Sequence, residues 1–354
     1  TITRLAERGI EIHSFYGRIP EGQPKLQRQE MHIKRINFHP VWHPLIRPPL
    51  DGVLFSLYAN AYVKNLIKKR SIDLVAYHGC ATSLVPHETV PSVYHVHGPQ
   101  IAELFSFYKY ETKSFERMVY FPSATLADFV GTQKTTLCIT TSKHSAQYVA
   151  RYYKIPPQRI RIIPGGIDLE KFSPAEQSKD YILFVGQDLK RKNLAGLIKA
   201  ISMLPKKYRK LTVIGGYKLE YEALAKRLRV DSQFLGPTNE NLLIQHYQGC
   251  AVFACPSFHE GFGLPFLEAQ ACGKPCIGSW KGAIPEVVIN GRTGYLVNPQ
   301  DTNELAKMLL YLLEDEKLRK EMGVEARKWA ENFSWDKVAE KTLQVYNEAI
   351  SYGK

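Results

Sequence analysis

No apolar run in the 354 residues approaches the roughly 18 to 20 that a bilayer-spanning helix needs, so an integral membrane protein is not expected. Cysteine is scarce. The six (Cys80, Cys138, Cys250, Cys255, Cys272 and Cys276) contain no C-x-x-C pair, and the pattern predicts buried, reduced thiols in a cytoplasmic protein. The eleven histidines are scattered, nine of them before residue 165, and no metal site is expected from them. His95 and His97 alternate along a strand-like run and so share a face. Internal repeats, low-complexity tracts and the helix-turn-helix, RNA-recognition or zinc-finger patterns are all missing, which argues against a nucleic-acid partner. The sequence opens Thr1-Ile2-Thr3-Arg4 without the apolar stretch of a secretory leader, and an opening on Thr is expected of a fragment or a processed chain.

What is present points to a globular protein of two domains. Hydrophobic residues make up 44% and charged residues 23%, with 20 Tyr and 16 Phe, enough for two cores and too ordered a composition for disorder. The net charge of +13 is uneven. Residues 1–165 carry 21 Lys+Arg against 11 Asp+Glu (+10), and the remainder 26 against 23 (+3). Different partners are therefore expected for the halves, with an anionic membrane surface a candidate for the first.

Strand-like and helix-like segments alternate throughout. In the first half, strands are expected at Ile10–His13, His32–Asn37, Asp73–Gly79, Ser92–Gly98, Thr136–Thr140 and Ile160–Pro164, with a basic-ended helix over 53–70. A turn-rich segment from Gly165 to Pro174 marks the domain boundary. Beyond it, strands at 181–185, 210–214, 232–235, 251–255 and 275–278 alternate with helices at 193–203, 218–228, 239–248 and 263–271. This is the pattern of α/β domains with doubly wound parallel sheets, two Rossmann-like units facing a cleft.

The most informative segment runs from Ser257 to Ala269, S-F-H-E-G-F-G-L-P-F-L-E-A, after a strand and into a helix. Gly261 and Gly263 let the backbone approach a ligand, and the free N–H groups of the helix start favour an anion. Glu268 lies about 7.5 Å along that helix from Gly263, where a carboxylate can accept from a diol such as ribose. Glu260, on the turn before the helix, can reach further hydroxyls. A helix-entry loop with two surface acids is the plainer reading of the same residues.

This segment resembles the E-x7-E element of the retaining family 4 glycosyltransferases, which have the GT-B fold. Further features follow in family order: Phe184-Val185-Gly186, the helix start Lys190-Arg191-Lys192-Asn193, Gly236, Ala271-Cys272-Gly273-Lys274-Pro275, Gly282-Ala283-Ile284-Pro285-Glu286 and Gly291 to Val297. The resemblance covers nearly the whole chain and implies three parts: an acceptor-side domain (1–165), a nucleotide-sugar domain (166–332) and a helix (333–354) that crosses back onto the first domain. It implies a hexose-type sugar moved, with retention, from a UDP- or GDP-sugar, GDP-mannose among the candidates, to a lipid-linked or glycan acceptor, with no metal cofactor required.

By the same resemblance the catalytic group comprises Glu260, His97, Arg191 and Lys192. Glu260 would contact donor-sugar hydroxyls, His97 would face the donor sugar, and the two cations would neutralise the diphosphate. Donor binding would fall to Glu268, Gly261, Phe262, Gly263, Leu264 and Gly186. Gln187 stands where many relatives carry Arg, so that role shifts to Arg191. His78 is a weaker candidate beside His97, and Asp168 is expected to fix the hinge. Family members begin with a strand and Gly-rich loop before the helix that ends here near Leu5, so the sequence is expected to be truncated at its N terminus. The alternative left open is a non-catalytic protein of the same fold that binds a nucleotide sugar or a partner.

Overall fold

The structure, a computed structural model, describes residues 1–16, 36–40, 50–69, 72–79, 90–110, 115–175, 180–187, 190–216 and 218–352. It divides into two compact units, Thr1–Pro164 with Trp335–Lys354, and Gly165–Ser334. Both are α/β with parallel sheets.

The first unit opens with helix α1 (Ile2–Glu7), then a parallel pair of strands, β1 (Ile12–Tyr16) and β2 (Ile36–Pro40). Helix α2 (Leu50–Lys69) leads to β3 (Val75–His78), β4 (Ser92–Val96), α3 (Gln100–Tyr110), α4 (Phe115–Lys134), β5 (Leu137–Thr140), α5 (Lys143–Tyr152) and β6 (Ile160–Ile162). Strands β3-β4-β5-β6 form one sheet in that order. Strand β4 is buried along its length, and its side chains alternate between two cores. Tyr94 and Val96 join Val149 and Tyr153; Val93 joins Val338, Val345 and Ala349 of the last helix, α13 (Trp335–Tyr352). The second set explains why the C-terminal helix belongs to the first unit. Buried Asp128 on α4 accepts from Tyr94 (2.7 Å), Tyr153 (3.1 Å) and the Gln100 N–H (3.0 Å), which compensates its removal from water.

The second unit contains β7 (Ile182–Gly186), α6 (Leu194–Ser202), β8 (Lys210–Gly215), α7 (Leu219–Arg227), β9 (Asp231–Phe234), α8 (Glu240–Gly249), β10 (Val252–Ala254), α9 (Leu264–Ala271), β11 (Cys276–Ser279), α10 (Ile284–Val287), β12 (Gly294–Val297), α11 (Thr302–Glu314) and α12 (Glu316–Ala330). Its sheet runs β12-β11-β10-β7-β8-β9. The chain builds outward from β7 in one direction through β9, then returns to the other side of β7 with β10. A crevice opens where the winding direction changes, beyond the carboxyl ends of β7 and β10. Helices α6, α9, α11 and α12 bury their apolar sides in one core with the sheet, α6 packing on α11 and α9 on α12. Arg327 ties this unit together by donating to the carbonyls of Phe172 (2.7 Å), Ala271 (2.8 Å) and Leu169 (3.1 Å).

Boundaries differ from the sequence reading by a few residues. The first strand starts at Ile12 rather than Ile10, and the long helix at Leu50 rather than 53. Residues 190–193 form a turn, and α6 begins only at Leu194. Cys80, residues 32–35 of the expected second strand and Arg70 lie outside the described residues. The other five cysteines are free and buried. Among the described residues no helix is long and apolar enough to cross a membrane.

Candidate active site at the sheet crossover

Strand β7 ends at Gly186, and the chain then turns through Arg191 and Lys192 into α6. Asn193 caps that helix in the left-handed region, its side chain accepting from the Gly196 N–H (3.2 Å) and donating to the Pro299 carbonyl (2.7 Å). The cap aims Lys192 inward. Its methylenes cross Gly186 so closely that a Cβ there would lie 2.1 Å from Lys192 Cδ. Glycine is required because the lysine stem occupies the space a side chain would fill.

The loop after β10 comes to meet this turn. Backbone joins them where the Phe258 N–H donates to the Arg191 carbonyl (2.8 Å), and Arg191 donates back to the carbonyl of His259. Glu260 is thereby placed against both cations. Its Oε1 accepts from Lys192 Nζ at 2.7 Å and from Ser257 Oγ at 3.1 Å, with Arg191 at 3.5 Å. Lys192 and Glu260 are 7% and 8% exposed, so this is a buried ion pair rather than two surface groups. Burial alone would raise the Glu260 carboxyl; Lys192, Arg191 and the hydrogen bonds outweigh it and hold it at about 2. Lys192 is likewise kept protonated by Glu260 against the cost of its own burial. Two cations against one carboxylate leave one positive charge in excess at the switch point.

Helix α9 starts beside this cluster. Gly263 caps it at φ +100°, a left-handed conformation that a side chain would strain. Leu264 and Pro265 occupy the first turn, and Leu264 is exposed. Gly261 is half-buried, and the Phe262 ring packs on Phe333 and over Gly165. One and a half turns along, Glu268 presents its carboxylate with Oε2 accepting from the Tyr247 hydroxyl at 2.6 Å. Burial pushes the Glu268 carboxyl above its ordinary value, while the Tyr247 hydrogen bond opposes that shift.

Of the residues expected at the site, Gly186, Arg191, Lys192 and Glu260 are in direct contact, and Gly261, Phe262, Gly263, Leu264 and Glu268 follow on the same loop and helix. His97 belongs to the first unit. There it sits just beyond β4, with Nε2 3.2 Å from His78 Nδ1, and the His78 ring stacks on His95 at 4.1 Å. Burial lowers His97; burial and His97 push His78 down to about 4. Among the described residues no cluster of His, Cys, Asp or Glu is arranged to hold a metal ion. Asp168 closes a turn by accepting from the Glu170 and Lys171 N–H groups, both at 3.1 Å.

Sequence reasoning missed Tyr247 and Ser257 as partners of the two acids. Ser257 lies three residues before Glu260 and was within reach of a local pattern. Tyr247 lies on a different helix from Glu268, and no local spacing connects them.

Comparison with known proteins follows the same division. The model of the family described as "Glycosyl transferases group 1" matches residues 167–329, and that of "Glycosyltransferase Family 4" matches residues 1–171. A D-inositol 3-phosphate glycosyltransferase of Corynebacterium glutamicum is 31% identical over 236 residues, 59% of this chain and 56% of that protein. The chain thus spans a little over half the length of this curated relative. An uncharacterized glycosyltransferase of Methanocaldococcus jannaschii is 25% identical, over 90% of this chain and 87% of its own length. Among solved structures, sucrose-phosphate synthase from Thermosynechococcus elongatus matches with a TM-score of 0.80 at 21% identity, covering 99% of this chain and 92% of that one. Anabaena HepE in complex with UDP-glucose matches with a TM-score of 0.73 at 19% identity, covering 99% and 94%. At these identities the likeness to the solved structures is one of fold, GT-B.

The buried pair makes stability depend on pH in a defined sense. With its folded-state value depressed to about 2, Glu260 contributes stability above its ordinary range near 4.5, and that contribution is lost as pH falls toward 2. Glu260→Gln leaves Lys192 buried without its counter-ion and is expected to cost about 3–5 kcal/mol at neutral pH. Urea denaturation of parent and variant should show a constant gap above pH 5 that narrows between pH 5 and 3. A gap that stays constant across this interval would mean that the ion pair is not formed.

Proposed function

The chain belongs to the group 1, family 4 glycosyltransferases of GT-B fold, and from that premise we propose that it transfers a hexose from a UDP- or GDP-sugar to a lipid-linked or glycan acceptor. The observation that carries this reading is the buried Arg191–Lys192–Glu260 cluster at the switch point of the second unit, beside the start of α9. As the bond from the sugar's C1 to the diphosphate breaks, negative charge gathers on the leaving oxygen. Fixed cations already desolvated at that point stabilise the transition state more than the ground state. Arg191 and Lys192 take this role, Glu260 turns its second oxygen to donor-sugar hydroxyls, and Glu268 accepts from the ribose. Gly186, Gly261, Gly263 and the backbone around Phe262 and Leu264 give the donor close approach. We assign His97 to the sugar on the family pattern.

With protein cations meeting the diphosphate, the reaction needs no metal, and the new bond keeps the donor's anomeric configuration. A UDP-sugar is supported by the UDP-glucose held by Anabaena HepE, and a phosphorylated acceptor by the name of the corynebacterial relative. The +10 balance of residues 1–165 suits an anionic acceptor presented at the cytoplasmic face of a membrane, where each nearby Lys or Arg contributes about 1 kcal/mol.

Replacing Arg191 and Lys192 together with Ala is expected to lower kcat by about a hundredfold or more. Product formation from a panel of UDP- and GDP-sugars, followed in the presence of a chelator, measures this, and the anomeric coupling constant of the product reports retention. Transfer within a few-fold of the parent would remove the diphosphate from this cluster. Vesicle sedimentation tests the membrane-face reading: salt-sensitive binding to anionic vesicles over neutral ones is expected, and equal partitioning onto both would contradict it.

A further inference from the structure

We infer that Tyr247 is a positioning residue for donor binding: its hydroxyl fixes the orientation of the Glu268 carboxylate that accepts from the ribose diol. This rests on the assignment of Glu268 to the ribose made above.

The geometry comes from three elements that the chain brings together only in the folded unit. Tyr247 lies near the end of α8, which is fixed at its start by Asn239, whose side chain accepts from the Leu242 N–H (2.9 Å). Its ring is fully buried. It meets Phe172 of the hinge segment edge-on at 6.2 Å between centroids and the β10 ring of Phe253 at 5.8 Å. Held from both sides, the ring has one place to put its hydroxyl, which donates to Glu268 Oε2 at 2.6 Å. A tyrosine buried in this way stays protonated, so it is the donor and the carboxylate the acceptor.

The consequence for Glu268 is directional. An ionised carboxylate offers two equivalent oxygens, and rotation about its last bond exchanges them. With Oε2 engaged, Oε1 is the oxygen left to a ligand, and it has no hydrogen bond among the described residues. The remaining charged neighbours act in opposite senses, Lys192 favouring the ionised form and Glu240 disfavouring it. Removing the Tyr247 hydroxyl therefore releases the rotation and takes away the hydrogen bond that favours the ionised carboxylate, the form that accepts both protons of a diol. Since Tyr247 is fully buried, it acts only through Glu268.

The experiment compares nucleotide affinity by calorimetry in the parent, Tyr247→Phe and Glu268→Gln. The probes are UDP and GDP, each beside its 2′,3′-dideoxy form, using whichever base binds the parent. Tyr247→Phe is expected to weaken the ribonucleotide by about tenfold while leaving the dideoxy form unchanged, so the ratio of the two affinities falls toward that of Glu268→Gln. Equal weakening of both forms would make Tyr247 a packing residue and overturn the inference, as would no change in either. If Glu268→Gln collapses the ratio and Tyr247→Phe preserves it, the inference alone fails. If Glu268→Gln preserves the ratio, the ribose assignment fails and takes the inference with it.

Discussion

The second unit is organised around a lysine and a glutamate that bind each other out of water. Each charge is costly to bury alone, and the pair persists because the Ser257 hydroxyl and Arg191 add to the contacts of the carboxylate. Satisfying that requirement fixes much else. Gly186 has no side chain because the lysine stem crosses it, Asn193 takes a left-handed cap to aim the lysine, and the loop after β10 is tied back to the turn by Phe258 and Arg191. Ala283 donates to the Glu260 carbonyl at 2.9 Å, so the segment after β11 is held to the same point. The sheet order puts all of these beside one crevice, since β7 and β10 are neighbours although two strands and three α-helices lie between them in the chain.

Such a pair is poorly explained by stability alone. Hydrophobic residues of similar volume would serve as well in a core. A preformed cluster with excess positive charge makes more sense as a receptor for an anion, already stripped of the water that a phosphate would otherwise have to displace. The first unit carries a contrasting arrangement. Its stacked histidines, His78, His95 and His97, are each driven toward the neutral form by burial. They are suited to exchanging hydrogen bonds with hydroxyls and not to holding a phosphate.

Much of the second unit was legible in the sequence because its signals are local. Short β-branched runs separated by amphipathic helices gave strands and helices to within a residue or two, and the S-F-H-E-G-F-G-L-P segment marked the loop and helix that carry both acids. What could not be read was reciprocal burial. Glu260 looked like an acid on an exposed turn, and nothing in the spacing indicated that Lys192, 68 positions earlier, neutralises it. Tyr247 was invisible for the same reason. In the first unit, α3 and α4 were not anticipated: their aromatic-rich stretches lack a clean apolar stripe, and Pro122 inside α4 argues locally against a helix. The packing of the Phe262 ring on Phe333 and over Gly165 was likewise not legible in the local sequence.

The central claim is that a nucleoside diphosphate binds at the β7–β10 switch point, with its phosphates against Arg191 and Lys192 and its ribose at Glu268. A crystal structure of the chain with UDP or GDP bound tests it most directly. The account predicts phosphate oxygens within hydrogen-bonding distance of Arg191 and Lys192, about 2.7–3.2 Å, and ribose hydroxyls at the Glu268 carboxylate. A nucleotide bound elsewhere, with the Lys192–Glu260 pair undisturbed and Glu268 free of the ribose, would contradict it.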